Sequence, residues 1–281
     1  MEVILNINNL DYQINNENYL FQNICLSFEK NKITCISGPN NCGKTTLLRI
    51  LKEKRPFDDS VIVLDGKDSN EYKKEDYEKI IQGFFPNALW TRDELVLDFL
   101  YSKMKDIDME KIEFVLTNLG LMKNKDKNIN KLTQEERYRL QLAEAIIKST
   151  KIVLIDNLDH FVLKEDLKKY YAFFKKCMKK YHLTFITTTH DLYETLYADD
   201  LYIIEKGHVI LRGKPQEVLT KDNILNKAGL ELPFMIDLSV KLKDYDLIDS
   251  IILDKESMID KLWNWWLIMC HSILKKKKSM E

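Results

Sequence analysis

The first chemical signal lies in eight consecutive residues, Gly38, Pro39, Asn40, Asn41, Cys42, Gly43, Lys44 and Thr45, with Thr46 opening a helical run behind them. Glycines at the two ends let the backbone turn so that successive N–H groups and a helix N-terminus face one anionic group. A lysine at the seventh position reaches the outer phosphates of a nucleotide, and the hydroxyl after it ligates magnesium. The stretch therefore reads as a phosphate cradle, in its required place between an apolar strand and a helix. The metal also needs a carboxylate, and the apolar run 152–155 ends in Asp156. Thr45 and Asp156 are the expected metal ligands, with ATP and Mg2+ as the expected ligand pair.

Short β-type runs at residues 33–37, 61–64, 152–155, 184–188 and 201–204 are separated by segments with helical spacing, which predicts a largely parallel sheet covered by helices. Strand signals vanish from about 91 to 150, where 109–121 and 135–148 carry apolar residues at helical intervals. We expect a nucleotide-binding domain over 1–222 with a helical subdomain at about 91–150, then a dimerisation or interaction region over 223–281. Lys and Arg total 43 against 44 Asp and Glu, so no charge imbalance draws the chain to nucleic acid. The 5 cysteines form no CxxC pair, which argues for reduced thiols and against a disulfide framework or a cysteine-built zinc site. No stretch reaches the ~18 apolar residues of a membrane span, and the expectation is a chain that neither crosses a membrane nor is secreted.

With these motifs in this order, the chain resembles an ATP-binding cassette (ABC) ATPase. Tyr12 stands where the family stacks an aromatic ring on adenine. Leu132, Thr133, Gln134, Glu135 and Glu136 occupy the place of the LSGGQ signature, and His190, after three threonines, matches the switch histidine that contacts the γ-phosphate. Phe85 falls where the family's glutamine loop has its glutamine, and Gln82, three residues earlier, is the candidate for that role. Residues 228–242, continuing to Trp263, are similar to the C-terminal region of the A components of energy-coupling-factor (ECF) transporters. The resemblance implies an α/β cassette of the P-loop NTPase class, with a mainly parallel core sheet, an N-terminal antiparallel β-subdomain, a helical subdomain and a small C-terminal domain. It further implies an ATPase subunit at the cytoplasmic face of the membrane. There it would pair with a second ABC ATPase chain and energise uptake of a vitamin or metal-type micronutrient through a transmembrane T component and a substrate-binding S component.

The pattern breaks in two places. Asn157 stands where the family has the glutamate that polarises the attacking water, and an amide cannot take a proton. The next stretch, 158–163, departs as well, leaving Asp159 and Glu165 as nearby acids. In the signature, Gln134 and Glu135 replace two glycines, while Thr133 and Glu136 have the spacing of a helix capping box. Each ATP of such dimers lies between one chain's P-loop and the other chain's signature, so a homodimer would combine both defects in both sites. A heterodimer with a more intact chain is the favoured arrangement. The alternative function is a hydrolysis-deficient regulatory cassette that uses ATP as a dimerisation ligand. The tryptophan-rich segment from Trp263, ending in four lysines, reads either as a helix docked on protein or as a membrane-surface element.

Overall fold

The computed structural model describes residues 2–15, 18–53, 61–87, 89–101, 108–253 and 255–278. In chain order the strands are β1 (Val3–Asn15), β2 (Asn18–Glu29), β3 (Ile33–Ser37), β4 (Ile62–Leu64), β5 (Lys67–Asp68), β6 (Ile81–Phe84), β7 (Ile152–Asp156), β8 (Thr184–Thr189), β9 (Asp200–Glu205) and β10 (His208–Gly213). The α-helices are α1 (Lys44–Lys52), α2 (Lys74–Ile80), α3 (Val96–Tyr101), α4 (Met109–Asn118), α5 (Gln134–Lys148), α6 (Lys164–Tyr181), α7 (Leu192–Thr195), α8 (Pro215–Val218), α9 (Asp222–Lys227), α10 (Phe234–Asp244) and α11 (Lys255–Lys278). The chain forms two compact units, 1–213 and 214–281. This division follows the end of β10 at Gly213, ahead of the boundary at 222 expected from sequence.

In the first unit the central sheet runs β10-β9-β3-β8-β7-β6. Its pairs are parallel apart from β10 with β9. A strand covered on both faces has no solvent side, and its sequence is therefore continuously apolar rather than alternating. Ile152–Asp156 follows this rule up to its terminal acid, and Ile33–Ser37 follows it except at Thr34 and Ser37; every residue of both is buried. The alternation appears instead in which core each side chain enters, because successive side chains point to opposite faces. Ile152 and Leu154 join the cluster holding Leu47, Leu48 and Leu51 of α1, whereas Val153 and Ile155 join Phe174 and the helical segment. The second sheet, β2-β1-β4-β5, is antiparallel, as the resemblance implied.

Helices α3, α4 and α5 fill the region where strand signals were absent. Asp108 caps α4 by accepting from the Lys111 N–H at 2.9 Å. Buried Lys111 donates from Nζ to the Ser149 carbonyl at 2.8 Å, satisfying an acceptor at the end of α5. Burial holds this lysine's pKa below its ordinary value.

Within the second unit, Ser239 Oγ on α10 donates to the Ile252 carbonyl (2.9 Å) and accepts the Ile252 N–H (3.1 Å), pinning the segment that leads into α11. Trp263 and Trp266 of α11 stack with ring centroids 5.2 Å apart, and both are exposed. Among the described residues no helix is long and apolar enough to cross a membrane.

Candidate nucleotide site

Strands β3, β8 and β7 are neighbours in one parallel sheet, so their carboxyl ends open on the same edge, the usual place for a ligand in such sheets. The phosphate-cradle loop leaves β3, His190 follows β8, and Asp156 and Asn157 end β7. A cavity of about 390 Å³ opens there, lined by Leu20, Asn40, Asn41, Gly43, Lys44, Thr45, Thr46, Asn157, His160 and His190. Thus residues drawn from four separate stretches of sequence line one cavity.

The loop needs both glycines for contact reasons. A Cβ on Gly43, whose φ is +102°, would lie 2.7 Å from the Phe21 ring. One on Gly38 would lie 2.1 Å from the Ile204 carbonyl oxygen. The first turn of α1 (Lys44, Thr45, Thr46) lines the cavity, and the leading N–H groups of a helix have no partner inside it. Lys44 itself is buried and folds back, donating from Nζ to the carbonyls of Gly38 (2.7 Å) and Pro39 (3.0 Å). Its ammonium thus occupies the concave side of the loop. Cys42 is turned into the same interior, with Sγ 3.7 Å from Lys44 Nζ, and is buried.

Asp156, next to the lining residue Asn157, is the hub of a polar network behind the cavity. It accepts from Thr45 Oγ1 (2.9 and 3.0 Å to its two oxygens), from Thr188 Oγ1 (2.6 Å) and from Asn157 Nδ2 (3.2 Å). The Asn157 main chain is left-handed, φ 47° and ψ 66°, a conformation that asparagine tolerates better than most residues. Its N–H donates to the Thr188 carbonyl at 3.0 Å. His190 Nδ1 lies 3.2 Å from Asp159 Oδ2. Burial pushes the Asp159 carboxyl above the usual range, and the neighbouring His190 and His160 pull it back. Glu194 accepts from the Tyr171 hydroxyl (2.8 Å), and burial pushes its pKa up to about 8.

Several expected site residues lie elsewhere. Gln82 sits on the edge strand β6, where its Oε1 accepts from Lys52 Nζ at 3.3 Å and its Nε2 donates to the Glu78 carbonyl; it does not line the cavity. Tyr12 packs on Phe21 across β1–β2, ring centroids 6.4 Å apart, one residue beyond the cavity wall at Leu20. The signature residues are also outside this cavity. Leu132 is buried, and Thr133 and Glu136 form the predicted capping box, with Thr133 Oγ1 accepting the Glu136 N–H at 3.2 Å and Glu136 Oε2 accepting the Thr133 N–H at 2.9 Å. Gln134 reaches Tyr138 and Glu135 pairs with Arg139, both along the exposed helix surface. Glu165 is exposed in the first turn of α6 and takes no part in the cavity wall.

Leu20, His160 and Thr188 belong to the site without having been singled out. Thr188 is one of four threonines in the wholly buried strand β8, and buried hydroxyls need partners. Which group it pairs with depends on the β7–β8 register, in which Asp156 lies opposite Thr188.

The fold and the site together define an ATP-binding cassette of the α/β P-loop class. Residues 21–159 match the family model described as ABC transporter. Among curated proteins, the spermidine/putrescine import ATP-binding protein PotA of Borrelia garinii is 30% identical over 226 residues, 76% of this chain and 64% of that one. The energy-coupling factor transporter ATP-binding protein EcfA1 of Streptococcus thermophilus is 22% identical over 272 residues, covering 93% of this chain and 99% of the relative. Among solved structures, cbiO1 from Clostridium perfringens, described as part of the ABC transporter complex cbiONQ, superposes with a TM-score of 0.70 at 22% identity, covering 87% of this chain and 100% of that one. The chain thus carries an ABC transporter domain over residues 21–159 and resembles the A component of ECF transporters.

Proposed function

We propose that this chain binds Mg-ATP as the nucleotide-binding subunit of an ECF-type importer, and that its own catalytic site is slow. The observation carrying the reading is the meeting at 2.9 Å of Thr45, which lines the cavity at a helix N-terminus, with Asp156 at the end of a strand far away in sequence. A hydroxyl and one carboxylate are hard oxygen donors, and two protein donors suit magnesium, which keeps waters and takes phosphate oxygens for the rest. When bound, magnesium neutralises charge on the outer phosphates. Lys44 leaves the Gly38 and Pro39 carbonyls to meet those phosphates, and the first-turn N–H groups of α1 hold the phosphate chain. Thr188 and Asn157 keep Asp156 oriented. His190, steadied by Asp159, presents its ring at the cavity wall to the terminal phosphate.

Asn157 occupies the position from which a base would act on the attacking water. Its Nδ2 is committed to Asp156, and its amide oxygen can orient a water without deprotonating it. The missing general base corresponds to a typical factor of ~10²- to 10⁴-fold in rate. The signature segment, capped by its own Glu136 and carrying Gln134 and Glu135, offers side chains where a partner's phosphate would want backbone N–H groups. Both features support pairing with a second, more intact ATPase chain and coupling to a T component, with an S component selecting a vitamin or metal-type cargo. EcfA1 along nearly its full length supports the same assembly. A hydrolysis-deficient dimerisation switch is the second reading, favoured by Asn157 alone.

Lys44→Ala separates these readings from no nucleotide role at all. Mg-ATP affinity, measured by calorimetry on the full chain, should fall at least about tenfold, which is about 1.4 kcal/mol. Unchanged affinity would sink the reading. Co-purification of a membrane protein and a second ATPase chain distinguishes importer from switch.

A further inference from the structure

Asp159, His160 and His190 converge beside the nucleotide cavity, apart from the Thr45–Asp156 pair. One donor atom from each lies within 4.8 Å of the others. His190 Nδ1 and Asp159 Oδ2 are 3.2 Å apart, and the two imidazoles stand 5.3 Å apart, tilted by 59°. The Asp159 side chain is only 8% exposed, yet its Oδ1 is buried without a hydrogen-bond partner. Such an oxygen is costly to leave unsatisfied. His190 answers one carboxylate oxygen, and nothing among the described residues answers the other.

We propose that Asp159, His160 and His190 bind a divalent transition metal of the zinc class, leaving open coordination toward the cavity that both imidazoles line. Two imidazoles and one carboxylate are the donor set of three-ligand zinc sites. Magnesium and calcium prefer all-oxygen shells, so this cluster and the Thr45–Asp156 pair select different ions. With zinc–ligand bonds of about 2.0–2.1 Å, tetrahedral donors stand roughly 3.3 Å apart. His190 and Asp159 already stand at 3.2 Å. The wider gap closes by turning the exposed His160 ring, without moving main chain. That main chain is braced on both sides: the His160 N–H donates to the Asn157 carbonyl at 3.3 Å, and the Asp191 N–H to Thr189 Oγ1 at 3.0 Å. Metal occupancy draws His190 away from the terminal phosphate and so opposes Mg-ATP binding. This consequence alone rests on the nucleotide role assigned to His190.

The test uses the full chain without nucleotide. Zn2+ affinity is measured by competition with a chromophoric chelator, and Co2+ reports geometry through its visible absorption. We expect one Zn2+ per chain and Co2+ bands of a nitrogen/oxygen site without thiolate charge transfer. Affinity should drop at least about tenfold in His160→Ala and in Asp159→Asn, the size of effect that even supporting residues of metal sites show. His160 is exposed, so its variant folds if Asp159→Asn does not, and circular dichroism checks both. No stoichiometric site, equal affinity in His160→Ala (an adventitious ion on other histidines or thiols), or a thiolate band would each overturn the proposal. Because nucleotide is absent, such a failure leaves the Mg-ATP reading standing, and a failure of ATP binding leaves the metal result standing.

Discussion

Thr188→Val exchanges a hydroxyl for a methyl group of similar size in a wholly buried strand, where a β-branched residue remains at home. Two hydrogen bonds disappear. One is the 2.6 Å donation from Thr188 Oγ1 to Asp156 Oδ1, and the other the 3.2 Å acceptance from the Asn157 N–H. The second costs little, because the Asn157 N–H keeps the Thr188 carbonyl at 3.0 Å. The first serves a buried carboxylate, and hydrogen bonds to charged groups contribute about 1.5–3 kcal/mol. Asp156 retains Thr45 and Asn157 as partners, which places the loss near the middle, about 2 kcal/mol. The urea midpoint should fall at unchanged slope. Mg-ATP affinity should weaken about tenfold as Asp156 loses its anchor to β8, about 1.4 kcal/mol of the total. Thr188→Ser keeps the hydroxyl and should recover most of both. A Val variant indistinguishable from wild type, or a Ser variant as damaged as Val, refutes the assignment of Asp156 as a carboxylate held by β8.

Glu194 sets a pH dependence. Its carboxyl is pushed to about 8 by burial against an ordinary 4.5, so the native state keeps a proton that the unfolded chain releases in between. Its contribution to stability is full below the lower value and is lost as pH rises through the upper one. Glu194→Gln should flatten the fall in urea midpoint between about pH 5 and 8; parallel profiles would count against a neutral Glu194. Thr133→Ala removes the capping box and should cost about 0.5–2 kcal/mol of stability. It should leave Mg-ATP affinity of the lone chain unchanged, and a weakened affinity would mean that the signature serves its own cavity. The wild-type chain should turn over ATP well below ~1 s⁻¹, and Asn157→Glu should raise that rate. The gain is limited because glutamate is less tolerant of φ 47° than asparagine and stands beside Asp156. Ordinary wild-type turnover by the lone chain shows the site to be intact.

Much of this protein is written locally. The phosphate-cradle loop was legible because glycine, lysine and hydroxyl must follow one another closely to wrap a phosphate. The central strands were legible because burial on both faces keeps 152–155 wholly apolar and leaves 33–36 only Thr34 as a polar residue. The Thr133–Glu136 box was legible because a cap joins residues one helical turn apart. That an amide, not a carboxylate, follows Asp156 needed only the identity of Asn157.

What crossed the sheet was not legible. Sequence reading placed Gln82 near the nucleotide, but the strand β6 directs it to Lys52 and the Glu78 carbonyl. Leu20 rather than Tyr12 lines the cavity, at a point where the β1–β2 register shifts between the Tyr12–Phe21 and Gln13–Tyr19 pairs. Lys44 turned back onto its own loop, and Thr188 holding Asp156, follow from packing and register rather than from neighbouring residues. The triad of Asp159, His160 and His190 joins the ends of two strands that only the parallel order β8-β7 sets side by side. Sequence alone determined the class of chemistry and its main departure, since those depend on residue types at short spacing. The tertiary structure decided which side chains meet, since strand order and register bring together residues that no local pattern links.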